Sequence, residues 1–174
     1  TATLKQKEIV HWLESCEEDF LLIASFPTVT RDFQTLLAPP SDGYSTSSSS
    51  RPSNRSISTD AHAAADQRLS AYLAEVQATK PKFTEISIQN TANQIVLSTN
   101  AEREGKYEMS SNLTELSSVV EGENFSPNFY LSLKTGQPAI TYATKIYDEQ
   151  GNRQGTLIAT LNLERIDDIV SERT

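Results

Sequence analysis

Hydrophobic residues near the N-terminus recur at the spacing of an amphipathic helix. They follow one another at intervals of four and three residues, which places them on one helical face: Ile9, Leu13, Cys16, Phe20 and Ile23. The same rhythm continues beyond Pro27 to about Ala38. Because proline lacks the amide that an inner helical turn requires, we predict a long N-terminal helix that kinks or divides at Pro27.

A serine-rich stretch separates this segment from a second helix. Nine of the nineteen residues from 41 to 59 are serine, and such a composition buries too little apolar area to offset the entropy lost on ordering. We therefore predict a mobile loop over residues 41–59. Ser58 or Thr59 is expected to cap the second helix, which ends before Pro81. Its apolar face holds Ala65, Leu69, Val76 and either Leu73 or Tyr72.

The hydrophobic period changes from helical to alternating after Pro81. Polar and apolar residues alternate over residues 85–89, and turn-forming residues 90–94 precede a second predicted strand at residues 95–99. This pattern predicts a β-hairpin. Turn-forming residues also separate three strands predicted in the last third of the chain, at residues 129–133, 139–147 and 155–163. These three strands are expected to form an antiparallel meander.

The last predicted strand divides its side chains between two faces. One set is expected to cover the long helix: Leu157, Ala159, Leu161 and Leu163. Ile158, Thr160 and Asn162 are expected on the opposite face. Short helices are predicted at residues 112–120 and from Glu164. The whole pattern predicts a single α+β domain over residues 1–174, in which helices gather on one side of a central antiparallel sheet of about five strands.

Composition narrows the classes of function. The formal net charge of the 174 residues is −8, so the chain as a whole repels nucleic acids and anionic lipid surfaces, and we expect no nucleic-acid partner. Cys16 is the one cysteine and cannot form an internal disulfide. His11 and His62 are far apart in sequence and have no neighbouring Cys or His, so no metal site is expected.

Motifs for catalysis are missing from the sequence. No glycine pair frames a serine as G-x-S-x-G, and neither glycine-rich phosphate-binding pattern occurs. The acidic residues of the first helix, Glu14, Glu17, Glu18 and Asp19, are interpreted as a solvated face. We therefore predict that this domain has no catalytic residues and no cofactor.

Polar and aromatic residues in the second half of the chain are the candidates for a small-molecule pocket. Such pockets are mostly apolar, with a few polar groups that fix the orientation of the ligand, and tyrosine supplies both properties. The predicted ligand-binding residues are Arg103, Tyr107, Phe125, Tyr130, Tyr142, Thr144 and Thr160. Tyr142 and Thr144 are expected to share one strand face with Thr160 of the neighbouring strand. Two alternatives stay open: the rings, with Phe129, complete the core, or Arg103 forms a surface ion pair with Glu102 or Glu104.

Three stretches together resemble one family. The sequence LLIASFPTV of residues 21–29 lies in a long first helix, and FTEISIQNTANQIVLST of residues 83–99 has a strand, an Asn-containing turn and a second strand. The third, IYDEQGNRQGTLIATLNL of residues 146–163, is a hairpin with a D-x-x-G turn. In this order they resemble the extracytoplasmic, PAS-like Cache sensor domains of bacterial transmembrane signalling proteins, from about Leu4 to Val170.

The resemblance implies a function. It implies an extracytoplasmic domain that binds a small molecule on its central sheet and shifts its terminal segment, from Glu164 to Thr174, to control a cytoplasmic output domain. The output would be a sensor histidine kinase, or otherwise a chemoreceptor or nucleotide cyclase. A homodimer and membrane attachment through flanking segments are also implied. The chain begins at Thr1, and we expect a processed chain or an excised piece of a longer protein.

Two further expectations concern the type of ligand and the alternative to a sensor. Amino-acid-binding members of the family have an aspartate in the last strand, at the position that matches Thr160, so an amino group would lack that counter-charge here. The alternative to a sensor is a protein-interaction or dimerisation domain with a filled core, which would show an apolar surface patch and no enclosed cavity.

Overall fold

The structure is a computed structural model, and it describes residues 2–38, 55–107, 126–131 and 136–172. Its helices are α1 (Ala2–Ser25), α2 (Pro27–Leu37), α3 (Arg55–Thr79) and α4 (Glu164–Ser171). Phe26 is extended, and Pro27 begins α2, where the missing amide costs no helical hydrogen bond. The predicted division of the N-terminal helix at Pro27 is therefore confirmed.

The start of α3 differs from its predicted position. The helix begins at Arg55, so the backbone of residues 55–59 is helical where the sequence predicted the end of the serine-rich loop. The loop composition was a poor guide here, because serine is only moderately unfavourable in a helix. Residues 39–54, and with them most of the predicted loop, lie outside the described residues, as does the helix predicted at residues 112–120.

Five strands form one antiparallel sheet in the described part of the chain, in the order β2-β1-β5-β4-β3. They are β1 (Phe83–Asn90), β2 (Ile95–Ser98), β3 (Ser126–Leu131), β4 (Pro138–Tyr147) and β5 (Arg153–Leu161). The predicted hairpin and meander are both confirmed. Strand β3 begins earlier than predicted and includes Pro127, which an edge strand tolerates because one side of its backbone has no partner.

The main hydrophobic core lies between the helices and one face of the sheet. Phe20 and Ile23 of α1, Phe33 of α2 and Leu69 of α3 belong to the same buried cluster as side chains from the sheet. The sheet contributes Phe83, Ile86, Ile88, Leu97, Ile140, Tyr142, Ile146, Leu157, Ala159 and Leu161. The expected division of β5 is confirmed, because Ile158 instead joins Ala143 in a separate cluster.

Two local features fix the ends of the central strands. In the β1–β2 turn, Asn93 has a φ of 62°, in the left-handed region that Asn tolerates better than most residues. A Cβ atom at Gly155 would overlap the Gln89 carbonyl oxygen and the Leu37 side chain. Glycine at this position therefore lets β5 approach both β1 and α2.

Ion pairs join the helices to one another and to the strand connections. Asp32 of α2 is 3% exposed and receives two hydrogen bonds from Arg68 of α3, at 2.6 and 2.9 Å. At the ends of the chain, Arg165 Nη2 of α4 lies 2.7 Å from Glu8 Oε1 of α1. Lys5 Nζ donates to the carbonyl oxygen of Val170 at 2.9 Å. Both terminal helices are thus held side by side.

Among the helices of residues 2–38, 55–79 and 164–171, none is both long enough and apolar enough to cross a membrane. The expectation of a single sensor domain over residues 1–174 stays a prediction.

Candidate functional site

The face of the sheet turned away from the helices carries polar side chains. Cross-strand pairing brings Glu85, Thr160, Thr141 and Asn128 into one row across four strands. Alternation along each strand places further polar residues on the same side. We call this surface the polar face and define it by Glu85, Ser87, Gln89, Ser98, Asn128, Thr141, Thr156 and Thr160.

Most residues of the polar face are buried. Gln89 and Thr156 are each 1% exposed, and four others are exposed by 8% or less: Ser87, Ser98, Asn128 and Thr141. Burying a hydroxyl or an amide is unfavourable unless the group gains hydrogen bonds. A buried polar surface on the side of the sheet opposite the main core therefore calls for partners, and its partners indicate what it does.

Glu85 is the centre of a hydrogen-bonded cluster at one edge of the polar face. Its carboxylate accepts from Ser98 Oγ at 2.8 Å and from Arg103 Nη1 at 2.9 Å. The side chains of Glu85 and Arg103 are 13% and 28% exposed. Arg103 thus forms its ion pair with Glu85 of β1. The surface alternative had predicted a pair with Glu102 or Glu104.

A short 3₁₀ helix, Ala101–Arg103, positions the guanidinium of Arg103. The Asn100 side chain caps this helix by accepting a hydrogen bond from the amide of Glu102 at 3.3 Å. In turn, the amide of Asn100 donates to Ser98 Oγ at 3.0 Å. The chain leaving β2 is therefore tied back to the cluster that receives Arg103.

Thr141 lies near the middle of the polar row and is 5% exposed. Among the described residues, its hydroxyl oxygen is the one buried side-chain atom with no hydrogen-bond partner. By contrast, the hydroxyl of Thr156 accepts from Arg153 Nη2 at 2.7 Å. An unpartnered buried hydroxyl is unfavourable, and a bound molecule is one means of satisfying it.

Tyr142 and Thr144 lie on the other face of the sheet, which corrects the expectation that they share a face with Thr160. Thr160 pairs across the strands with Thr141, so the next residue, Tyr142, points the opposite way. The Tyr142 hydroxyl donates to the carbonyl oxygen of Leu13 at 3.1 Å, and its ring contacts Phe20 edge-on. Burial in this core raises the pKa of Tyr142 well above its usual range.

The remaining predicted site residues lie in different parts of the molecule. Thr160 belongs to the polar row, and Tyr130 is on the same side of β3 as Asn128. Tyr107 is 68% exposed next to β2, and Phe129 is 63% exposed on the helix side of the edge strand, so neither ring fills the core. Phe125 lies outside the described residues.

Five residues of the polar face are absent from the predicted site: Glu85, Ser87, Gln89, Asn128 and Thr141. Their signal was present in β1, where the polar residues alternate with Ile86 and Ile88. Only the register between strands shows that the polar positions of four strands meet.

Two concave surfaces lie outside the polar face. A groove of about 720 Å³ lies between α1 and β4, and its lining includes Leu21, Leu22, Phe33, Thr144 and Tyr147. A cleft of about 700 Å³ lies between the end of α2 and the strand turns, where its lining includes His62, Asn90 and Arg153. No group of Asp, Glu, His and Cys side chains in the described part of the chain is arranged to hold a metal ion.

Comparison with known proteins identifies the fold through structure rather than sequence. No protein-family model matches the chain, and no curated protein matches it in sequence. Solved structures do match. The sensor domain of DcuS from E. coli is 15% identical, with a TM-score of 0.52, over 87% of this chain and 88% of that one.

Two longer sensor domains match nearly the whole chain. The isoleucine-bound sensory domain of the chemoreceptor Tlp3 from Campylobacter jejuni is 13% identical, with a TM-score of 0.62, over 99% of this chain and 60% of that one. The sensor domain of the histidine kinase DctB from V. cholerae is also 13% identical, with a TM-score of 0.51, over 95% and 62%. The chain thus spans about 60% of these two structures.

At such low identity, the structural matches establish the fold alone. The predicted architecture, a long N-terminal helix packed on a five-stranded antiparallel sheet, is confirmed, and it is shared with sensor domains of histidine kinases and chemoreceptors. The chain therefore has the α+β fold of the Cache-type, PAS-like sensor domains.

Proposed function

We propose that this chain is the ligand-sensing ectodomain of a membrane-anchored signal-transduction protein, and that a small molecule binds on the polar face. The observation that carries this proposal is the buried row of polar side chains with an unpartnered Thr141 hydroxyl. The shared fold supports it, since the matched Tlp3 domain contains isoleucine and the ligand-binding domain of PctC from Pseudomonas aeruginosa contains GABA.

The proposed signal passes from the polar face to the terminal helices. Strand β5 carries Thr156 and Thr160 on the polar face, and α4 begins at Glu164, soon after that strand ends. Glu8 and Lys5 of α1 hold α4 through Arg165 and the carbonyl oxygen of Val170. A ligand that favours one position of β5 would shift α4 relative to α1, by at most its difference in affinity for the two states.

We further propose that the output is a histidine kinase, that the ectodomain lies outside the cytoplasm, and that it works as a homodimer. The match with the sensor domain of the histidine kinase DctB supports the first point. The match with the extracellular domain of vpHK1S-Z8, which is 12% identical with a TM-score of 0.65 over 98% of this chain and 58% of that one, supports the second. Autophosphorylation of the full-length protein in membranes, measured with and without ligand, tests this assignment. A ligand-independent rate would contradict it.

Ligand binding itself is tested by thermal shift against a metabolite library. We expect at least one small molecule to raise the melting temperature, and we expect Asn128→Ala and Tyr130→Ala to reduce that shift. Phe129→Ala is the matched control, because Phe129 lies between these residues and points to the other side of β3. An equal shift in all three variants, or no stabilising compound, would reject the proposed site.

A further inference from the structure

We infer that the ligand is a small uncharged molecule rich in hydrogen-bonding groups, such as a polyol or a neutral amide, and that the Thr141 hydroxyl binds it directly. This inference rests on the proposed ligand site and adds the chemical class of the ligand. It follows from the ion pair at the edge of the polar face, the positions of the other positive charges on that side of the sheet and the unpartnered hydroxyl of Thr141.

The two charges at the edge of the polar face neutralise each other. Glu85 and Arg103 are in hydrogen-bond contact at 2.9 Å, and Ser98 donates a second hydrogen bond to the same carboxylate. An anion that bound Arg103 would leave the mostly buried carboxylate of Glu85 poorly compensated, and a cation on Glu85 would do the same to Arg103. The pair therefore disfavours a ligand with a net charge of either sign.

Among the described residues, Arg153 and Lys145 bring further positive charge to this side of the sheet: Arg153 Nη2 donates to the Thr156 hydroxyl at 2.7 Å, and Lys145 is in register with Thr156. Thr156 lies four residues along β5 from Thr160, the partner of Thr141, which is a backbone separation of about 13 Å at the usual rise of a strand. Both charges therefore lie toward one end of the sheet, away from the row that contains Thr141.

The other polar groups of the polar face are neutral donors and acceptors, and they surround the small apolar cluster of Ala143 and Ile158. Ser87, Thr141, Thr156 and Thr160 supply hydroxyl groups, while Gln89 and Asn128 supply amides. A hydroxyl both donates and accepts, and so does an amide, which matches the groups of a polyol or a carboxamide. The unpartnered hydroxyl of Thr141 makes this residue the strongest candidate for a direct contact.

The key variant is Thr141→Val, which removes the hydroxyl and keeps the shape of the side chain. Because that hydroxyl is buried without a partner, we expect the ligand-free variant to melt at a higher temperature than the wild type. Ligand binding is expected to weaken about tenfold, the usual order for one lost hydrogen bond at a desolvated site. A purely structural role for Thr141 does not predict these opposite effects.

Thr144→Val is the matched control, since it makes the same change in the same strand on the helix-covered face. The experiment measures binding by isothermal titration for three neutral probes, erythritol, glucose and succinamide, and three charged ones, succinate, GABA and putrescine. We expect a neutral probe to bind the wild type most tightly. We expect Thr141→Val, and not Thr144→Val, to weaken that binding.

A third variant tests the role of the ion pair. Glu85→Gln removes the carboxylate that faces Arg103, and we expect succinate to bind this variant more tightly than it binds the wild type. Unchanged succinate binding would overturn the exclusion of anions by the pair.

The outcomes separate this inference from the proposed function. Tightest binding by a charged probe, with loss of binding in Asn128→Ala, would overturn the uncharged class and leave the polar face as the sensing site. Equal binding in wild type and Thr141→Val would overturn the contact with Thr141. If none of the probes binds, the inference is rejected, whereas the proposed function fails only when the whole metabolite library also gives no thermal shift.

Discussion

The two faces of the sheet are both largely buried, yet they differ in chemistry. On the helix-covered face, Ile86 and Leu157 belong to the main hydrophobic core. On the opposite face of the same two strands, Ser87 and Thr156 are equally inaccessible. One position along a strand thus separates a side chain that stabilises the fold by apolar burial from one that gains little from being buried.

This difference indicates what each face is for. Apolar burial contributes about 25 cal/mol per Å², so the covered face accounts for most of the stability that the sheet provides. A buried hydrogen bond contributes only about 0.5–1.5 kcal/mol net even when both groups are paired, and the Thr141 hydroxyl is not paired. The polar face therefore lowers the attainable stability, and binding a ligand is a reason to retain it.

Substitution in the covered face should have the largest effect on stability. Phe20 is fully buried against Tyr142 in the main cluster. We expect Phe20→Ala to lower the free energy of unfolding by about 3–5 kcal/mol, through lost apolar burial and the cavity that remains. Urea unfolding measures this value. A loss below about 1 kcal/mol would contradict the assignment of the core to this face.

The ion pair between the buried Asp32 and the half-exposed Arg68 should make stability depend on pH. Hydrogen bonding from Arg68 holds the pKa of Asp32 below its usual range. The stability from this pair is therefore present above about pH 3.9, the ordinary pKa of an aspartate, and is lost as the pH falls through the lowered pKa of the folded state.

Asp32→Asn is expected to lower the free energy of unfolding by about 1–3 kcal/mol at neutral pH, because the charged hydrogen bonds from Arg68 are lost. Arg68 is half exposed, so water can solvate its guanidinium in the variant. Melting curves between neutral and acidic pH should converge for the variant and the wild type as the pH falls. Parallel curves would show that Asp32 does not titrate below its ordinary pKa.

Removing the Tyr142 hydroxyl should separate stability from ligand binding. Tyr142→Phe deletes the hydrogen bond to Leu13 and keeps the ring contact with Phe20, so we expect a loss of about 1 kcal/mol. Ligand affinity should stay at the wild-type value, because this side chain lies on the covered face. Binding is measured by titration with a stabilising compound. Weaker binding by the variant would place the ligand on the helix-covered face and contradict a site on the polar face.

The contact between the terminal helices should matter least for stability. Glu8 and Arg165 are both nearly half exposed, so Glu8→Gln should cost about 0–1 kcal/mol. In the full-length protein, the same change should alter the ligand-dependent response without altering ligand affinity. Equal signalling by variant and wild type would argue against a role for this contact.

The sequence predicted the helices and strands better than the contacts between them. Hydrophobic spacing located the division at Pro27, the hairpin after Pro81 and the two sides of β5, because each depends on residues close in sequence. The relation of Tyr142 to Thr160 depends instead on the register of two strands, and a shift of one residue exchanges the faces. The pairing of Arg103 with Glu85 likewise required the tertiary structure.

Methyl NMR of isoleucine residues tests the central claim most directly, because Ile88 and Ile158 lie near each other in β1 and β5 but on opposite faces of the sheet. The titrant is the library compound that gives the largest thermal shift. We expect the Ile158 methyl signal to move on binding while the Ile88 signal stays nearly constant. Movement of Ile88 with an unchanged Ile158 would contradict ligand binding on the polar face.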